Sequence, residues 1–197
     1  MKRVVLASAN AGKLRELNAL LAPCGMDVVS QSEFEIPSIE ETGESFVENA
    51  IIKARHAARL SGLAAIADDS GLMVDALDGA PGIYSARYAG VDAGDGENLQ
   101  HLLDNMRDIP ESRRGARFVS LVVFMNHPRD ACPLVCEGVW PGRITRAPRG
   151  DGGFGYDPVF YLEDCGCTSA ELAPAHKNSI SHRAKAMQAL LARLGEP

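Results

Sequence analysis

The stretch Leu63-Ala64-Ala65-Ile66-Ala67-Asp68-Asp69-Ser70-Gly71 decides how this chain is read. A short apolar run that stops at two carboxylates and a Ser-Gly turn reads as a buried strand delivering charge to its carboxyl end, where open α/β sheets place their ligands. Isolated carboxylates are costly to bury, so the pair calls for a cation, a donor-rich turn or a reaction. The competing reading has Asp69 or Ser70 only capping the turn.

Upstream, a helix is expected from about Thr42 to Ser61, with Thr42 as N-cap and Val47, Ile51, Ala54 and Ala58 on one stripe; Gly62 ends it. Before it, Arg3 to Ala7 has the pattern of a buried strand, followed by a turn-rich loop and a helix carrying Leu14, Leu17, Leu20 and Leu21. Downstream lie a Gly- and Pro-rich loop from Gly79 to Gly90 and a helix from Glu97 to Met106. Two β-type runs, Ala116 to Met125 and Leu134 to Thr145, suggest an antiparallel hairpin. A closing helix spans about Ser181 to Leu194, with Ser181 as N-cap. Strands mixed with helices and one hairpin make an α/β protein with a mixed sheet. With no repeat or linker, residues 1–197 are expected to form one domain with a cleft.

Composition excludes several classes. The net charge of -6 argues against a broad nucleic-acid surface, although a single nucleotide needs only a few local cations. No apolar run approaches the length of a membrane span and no leader pattern is present, so a cytoplasmic location is expected. The five cysteines include CxxxC and CxC pairs without zinc-site histidines, which reads as free thiols in a reducing compartment.

Four further segments carry chemistry. Ser8-Ala9-Asn10-Ala11-Gly12-Lys13 turns from a strand into a helix amino terminus and resembles a phosphate cradle, or else an ordinary turn with an exposed lysine. It is not a Walker A loop, because Ala7 stands where the first glycine belongs and Leu14 replaces the metal-binding hydroxyl. Glu40 and Glu41, in the loop before the helix, are free to reach a metal held by Asp69; one or two carboxylates suffice for magnesium. Asn49 and Lys53, spaced i, i+4, flank the core stripe, and Lys53 either faces a site or snorkels to solvent. Glu44, Glu48, Arg55 and Arg59 read as a solvated face. In Gly152-Gly153-Phe154-Gly155-Tyr156-Asp157-Pro158 an aromatic among glycines suits stacking on a purine, with packing as the alternative for both rings. Lys177 and Ser181-His182-Arg183 gather donors at a helix start; taken singly, His182 reads as a surface residue.

In order along the whole chain, these segments resemble the inosine and xanthosine triphosphate pyrophosphatase family. The match rests on Ser8-x-Asn10-x-x-Lys13, Glu40-Glu41-Thr42-Gly43, Phe46-x-Glu48-Asn49-Ala50-x-x-Lys53-Ala54, Ala67-Asp68-Asp69-Ser70-Gly71-Leu72, Gly79 to Tyr88, Gly152 to Pro158 and Ser181-His182-Arg183. The resemblance implies magnesium-assisted hydrolysis of dITP, ITP or XTP to the monophosphate and pyrophosphate. It further implies a homodimer with an elongated, two-lobed mixed α/β fold and a central cleft. Site roles carry over from the same motifs. Ser8 to Lys13 would hold phosphates with help from Lys53, and Glu40 and Asp69 would serve the metal. Asp69 would also be the base, aided by Asp68, while Ser70, Phe154, Gly155, Tyr156, Asp157, Lys177, His182 and Arg183 would contact the nucleotide. Ser8 and Ala9 stand where Thr and Gly are common in the family.

Overall fold

The computed structural model describes residues 2–195, and within them the side chains of Glu16, Ala19 and Leu20 are outside the description, so the expected place of Leu20 on an apolar stripe lies outside it as well. The elements run β1 (Lys2–Leu6), α1 (Ala11–Leu21), β2 (Met26–Ser30), α2 (Phe46–Ser61), β3 (Ala64–Val74), α3 (Asp95–Asn105), β4 (Gly115–Met125) and β5 (Leu134–Ile144). They continue with β6 (Phe160–Leu162), β7 (Cys167–Thr168), α4 (Pro174–Ile180) and α5 (His182–Gly195). The strands form one mixed, open sheet in the order β2-β1-β3-β4-β5-β6-β7, so the mixed α/β class read from the sequence is the one observed. By its internal contacts the chain divides into two compact units. The first comprises Met1–Asp69, Ser120–Glu137 and Ala186–Pro197, and the second Ser70–Val119 and Gly138–Lys185.

In the first unit β1 is the hub. It pairs parallel with β2 through Val4↔Val28 and parallel with β3 through Val4↔Ala64 to Leu6↔Ile66, and α1 and α2 supply the crossovers that parallel neighbours require. Alternation along the strands then sorts the core into two faces. Val4, Leu6, Ala64 and Ile66 pack with Leu17 and Leu21 of α1 and Leu190 of α5, while Val5, Ala65 and Ala67 pack with Ala50, Ala54, Ala57 and Ala58 of α2. The small alanines of α2 let the helix lie close on its face of the sheet. Its buried stripe is Phe46, Asn49, Ala50, Ala54, Ala57 and Ala58, whereas Val47 and Ile51, expected at its centre, are only half-buried flanks.

Two boundaries differ from the expected ones. α2 begins at Phe46 rather than near Thr42, because Ser45 is the N-cap and Glu48 accepts hydrogen bonds from Ser45 Oγ and Glu44 N, each at 2.8 Å. That Ser-x-x-Glu cap, with Ser45 Oγ accepting from Glu48 N at 3.4 Å, fixes the helix start and leaves Glu40 to Glu44 outside the helix. More consequentially, β3 does not stop at Asp68 but runs on through Asp69, Ser70 and Gly71 to Val74. Pairing with β1 ends at Ile66, and β4 is the other neighbour of β3 in the sheet. The turn expected at Ser70-Gly71 is therefore absent, and the carboxylates sit within the strand just beyond the point where its β1 neighbour ends.

The second unit has its own core, built from Leu72 and Val74 of β3, Leu99, Leu102 and Met106, and the rings of Phe118, Trp140, Tyr156 and Phe160. α3 begins at Asp95, two residues before the expected Glu97, and Glu97 Oε2 accepts from the N-cap amide of Gly94 at 2.8 Å. Arg114, 1% exposed, threads this core and donates to four carbonyl oxygens: Ile144 at 2.7 Å, Met106 at 2.7 Å, Thr145 at 2.9 Å and Ile109 at 3.3 Å. β5 to β7 pair antiparallel through Ile144↔Phe160 and Tyr161↔Thr168. β4 and β5 are sheet neighbours joined by a short loop, as a hairpin requires. Ser181 caps α5 by accepting from Ala184 N at 3.3 Å. Among the described residues no helix is long and apolar enough to cross a membrane.

Candidate active site

Because successive side chains of a strand point to opposite faces, Asp68 and Asp69 part company. Asp68 faces the α1 side and Asp69 the α2 side, and each meets a lysine from the helix it faces. Lys13, in the first turn of α1, reaches both Asp68 oxygens at 2.8 and 2.7 Å. Lys53, on α2, bridges Asp69 Oδ1 at 2.8 Å and Glu41 Oε1 at 2.7 Å. The Lys53 side chain is 17% exposed, so it is committed to these carboxylates and does not snorkel away.

The two ion pairs set the electrostatics. Burial raises the Asp69 carboxyl above the ordinary carboxylate range, and Glu41 adds to the rise, while Lys53 and the Asn49 amide oppose it. For Lys53 burial pulls downward, but Asp69 and Glu41 together outweigh it and hold the ammonium above its usual value. The carboxylate that faces Asp69 across Lys53 is thus Glu41, while Glu40 is exposed one residue earlier in the same loop. Two hard carboxylates converge on one positive charge, and that donor set suits a small divalent cation.

The loop after β1 has the geometry of an anion cradle whose donors are held by its own side chains. Asn10, the N-cap of α1, accepts from Gly12 N at 2.8 Å and Lys13 N at 3.1 Å, and Ser8 Oγ accepts from Asn10 N at 3.2 Å. Ala9, Asn10, Ala11 and Gly12 are exposed and Ser8 half-buried. An incoming phosphate would exchange with the Asn10 side chain for amides already aimed outward at a helix start.

In the second unit Asp157 is the organising group. Only 3% exposed, it accepts from Phe154 N at 2.8 Å, from Ser169 Oγ at 2.8 Å and from Lys177 Nζ in a short ion pair. Lys177 Nζ also lies 4.9 Å from the centre of the Phe154 ring, which is 62% exposed. Gly153, at φ 76°, makes the turn possible, since a Cβ there would collide with the Asp157 carboxylate. Gly155 N donates to Asp95 at 2.7 Å. Tyr156 is buried, donates to Ser85 O at 2.8 Å and belongs to the core, so of the two loop aromatics it is Phe154 that offers a free face. Ser70 is half-buried in β3, and Arg183 lies half-buried in the first turn of α5.

His182 is not a surface residue. It is 8% exposed and stacked on Phe118 at 4.8 Å and 13°, with Trp140 also parallel to it at 6.2 Å. No pattern in Ser181-His182-Arg183 announces this, because Phe118 and Trp140 come from β4 and β5. Ser169, which orients Asp157, also went unremarked in the sequence, since a lone serine before a short turn carries no signal.

Comparison with known proteins places the chain and its fold. A family model described as the Ham1 family matches residues 4–193. A dITP/XTP pyrophosphatase of Shigella flexneri is 58% identical over 191 residues, covering 97% of each chain, and one of Vibrio cholerae is 56% identical over 196 residues, covering 100% of this chain and 98% of that one. Among solved structures, a HAM1 protein from Coxiella burnetii superposes with a TM-score of 0.97 at 50% identity over the full length of both chains. A nucleoside-triphosphatase, dITP/XTP pyrophosphatase, from Mycobacterium abscessus superposes with a TM-score of 0.82 at 44% identity, covering 98% of this chain and 99% of that one. The ordered motifs, the mixed sheet and these full-length matches point one way: the chain belongs to the Ham1 family.

Proposed function

We propose that this chain hydrolyses deaminated purine nucleoside triphosphates, dITP, ITP and XTP, to the monophosphate and pyrophosphate, removing them from the nucleotide pool. The observation that carries the chemistry is the Lys53 ammonium held between Glu41 and Asp69, with the Lys13–Asp68 pair at the preceding residue of β3. The substrate class follows the dITP/XTP pyrophosphatases to which the chain is similar over nearly its whole length.

Asp69 and Glu41, with Glu40 in the same loop, would hold magnesium, a reading supported by the Lys53 ammonium that both of the first two engage. When bound, the ion supplies charge neutralisation and orientation of the phosphates. The chain's own residues do the rest. Lys13 and the amides of the Ser8 to Lys13 loop bind phosphate oxygens, and Lys53 transfers its charge from the carboxylates to the substrate. Asp69 takes the proton of the attacking water. It suits that role better than Asp68, because Lys13 engages both oxygens of Asp68 while Lys53 engages only Oδ1 of Asp69. Burial, by favouring the neutral form, makes Asp69 a stronger base than an ordinary aspartate.

On the base side, Lys177 is pinned by Asp157 above the exposed Phe154 face. A purine stacked on Phe154 would present its 6-oxo acceptor to a donor, whereas adenine would present an amine. Arg183 supplies further donors. Phe154→Ala is expected to raise KM for ITP roughly 10- to 100-fold, the value of one lost base stack, with a smaller change in kcat. Steady-state kinetics with ITP checks it.

A location in the cytoplasm fits a substrate of the soluble nucleotide pool, and the assembly inferred from the family resemblance is a homodimer. Incubation with ITP, dITP, XTP, GTP and ATP plus magnesium, resolving pyrophosphate from orthophosphate, tests the whole reading. Pyrophosphate from the deaminated purines alone is expected, and orthophosphate or no turnover would overturn the assignment.

A further inference from the structure

Asn49 is fully buried on α2, one helical turn before Lys53, and so on the same side of the helix as the ammonium that binds Asp69. Its Oδ1 accepts from Gly43 N at 2.8 Å, which fixes the orientation of the amide: a backbone donor needs the oxygen end. The other end, Nδ2, is a buried donor with no partner at hydrogen-bond distance. Gly43 itself is held tightly there, since a Cβ would lie 2.6 Å from Glu48 Cβ and 2.7 Å from Asn49 Oδ1. A purely structural role uses only the oxygen and leaves the nitrogen without purpose, whereas buried donors are normally satisfied.

We propose that Asn49 is a positioning residue for the hydrolytic centre: its Oδ1 holds the Glu41-Thr42-Gly43 segment, and its Nδ2 hydrogen-bonds the Asp69 carboxylate once Lys53 leaves it for the substrate phosphates. One amide thereby sets two carboxylates, Glu41 and Asp69, relative to each other. In the ligand-free state Lys53 engages Asp69 Oδ1, and Nδ2 lies on the side of that carboxylate without completing a hydrogen bond to it. The Asn49 amide already favours the charged form of Asp69, in keeping with its lying on that side. This role rests on the reading of Asp69 as the base.

The test compares wild type, Asn49→Asp, Asn49→Ala and Asp69→Asn with ITP and magnesium. Asn49→Asp keeps an acceptor for Gly43 N, replaces the donor with a second acceptor and adds a buried negative charge beside Asp69, so wild-type turnover by this variant is the most stringent outcome against the proposal. Positioning requires both Asn49 variants to lose roughly 10- to 100-fold in kcat, with KM for ITP changed by less than about threefold. Asn49→Asp at wild-type kcat, with only Asn49→Ala impaired, would reduce Asn49 to a tether for Gly43 and overturn the proposal. A second readout is independent of turnover and of whether the variants fold. In wild-type protein labelled with ¹⁵N-asparagine, the Asn49 side-chain amide, identified by its contact with the Gly43 amide proton, is followed by NMR. Adding magnesium and the α,β-imido analogue of ITP is expected to shift one Nδ2 proton downfield and slow its exchange. An unchanged signal overturns the proposal. Failure here is separable from failure of the functional reading: an active wild type with an inactive Asp69→Asn leaves the base in place whatever Asn49 does. A wild type that turns over no triphosphate refutes both.

Discussion

Asp69→Asn should lower pyrophosphate release from ITP by at least about 1,000-fold while the protein keeps its fold, because the substitution is isosteric and removes only the charge and the basic oxygen. Lys53 retains Glu41 as a partner at 2.7 Å, so no ammonium is stranded. Asp69 is already pressed toward its neutral form by burial, so a neutral amide in its place relieves an electrostatic cost and the melting temperature should not fall. The measurement is kcat by coupled pyrophosphate detection together with a thermal melt. A near-normal rate would remove Asp69 both as base and as metal ligand. Asp68→Asn, in the same assay, should cost less, roughly 10- to 100-fold, because it loosens Lys13 without removing the proton acceptor.

The largest effect on stability belongs to Arg114. Arg114→Met keeps most of the apolar volume and removes the guanidinium, leaving the carbonyls of Met106, Ile144 and Thr145 without the donors that now reach them within 2.9 Å. Each buried acceptor left unpaired costs about 1–3 kcal/mol, and the losses are not additive, so a total near 4 kcal/mol is expected. Against a total stability of about 5–15 kcal/mol this is large. It should appear as a melting temperature lowered by roughly 10 °C and a reduced urea midpoint. Arg114→Lys should recover only part of the loss, since one ammonium cannot span three carbonyls from separate segments. Unchanged stability would mean that water replaces the guanidinium, and the buried arginine would lose its structural role.

Much of this protein is legible in one dimension where the signal is local. The strand at Val4 to Leu6, the helix closed by Gly62 and the capped helix after Ser181 follow from patterns within a few residues, and the structure has all three. Ser45-x-x-Glu48 is equally local, and it is this cap, not Thr42, that starts α2. β6, β7 and α4 are harder, being 3, 2 and 7 residues long, too short for a period to develop.

The amino-acid sequence by itself determined the family and the mixed α/β class, because those rest on residue identity, order and short-range periodicity. Only the tertiary structure decided how the charges are shared. That Asp68 and Asp69 ride a continuing strand, face opposite ways and meet Lys13 and Lys53 separately depends on β3 running on to Val74 after its pairing with β1 has ended. That Glu41 rather than Glu40 joins Asp69, and that His182 is stacked in a core, depends on segments brought together from distant parts of the chain. Ion pairs and ring stacks act over a few ångströms in space, and spacing along the chain does not encode them.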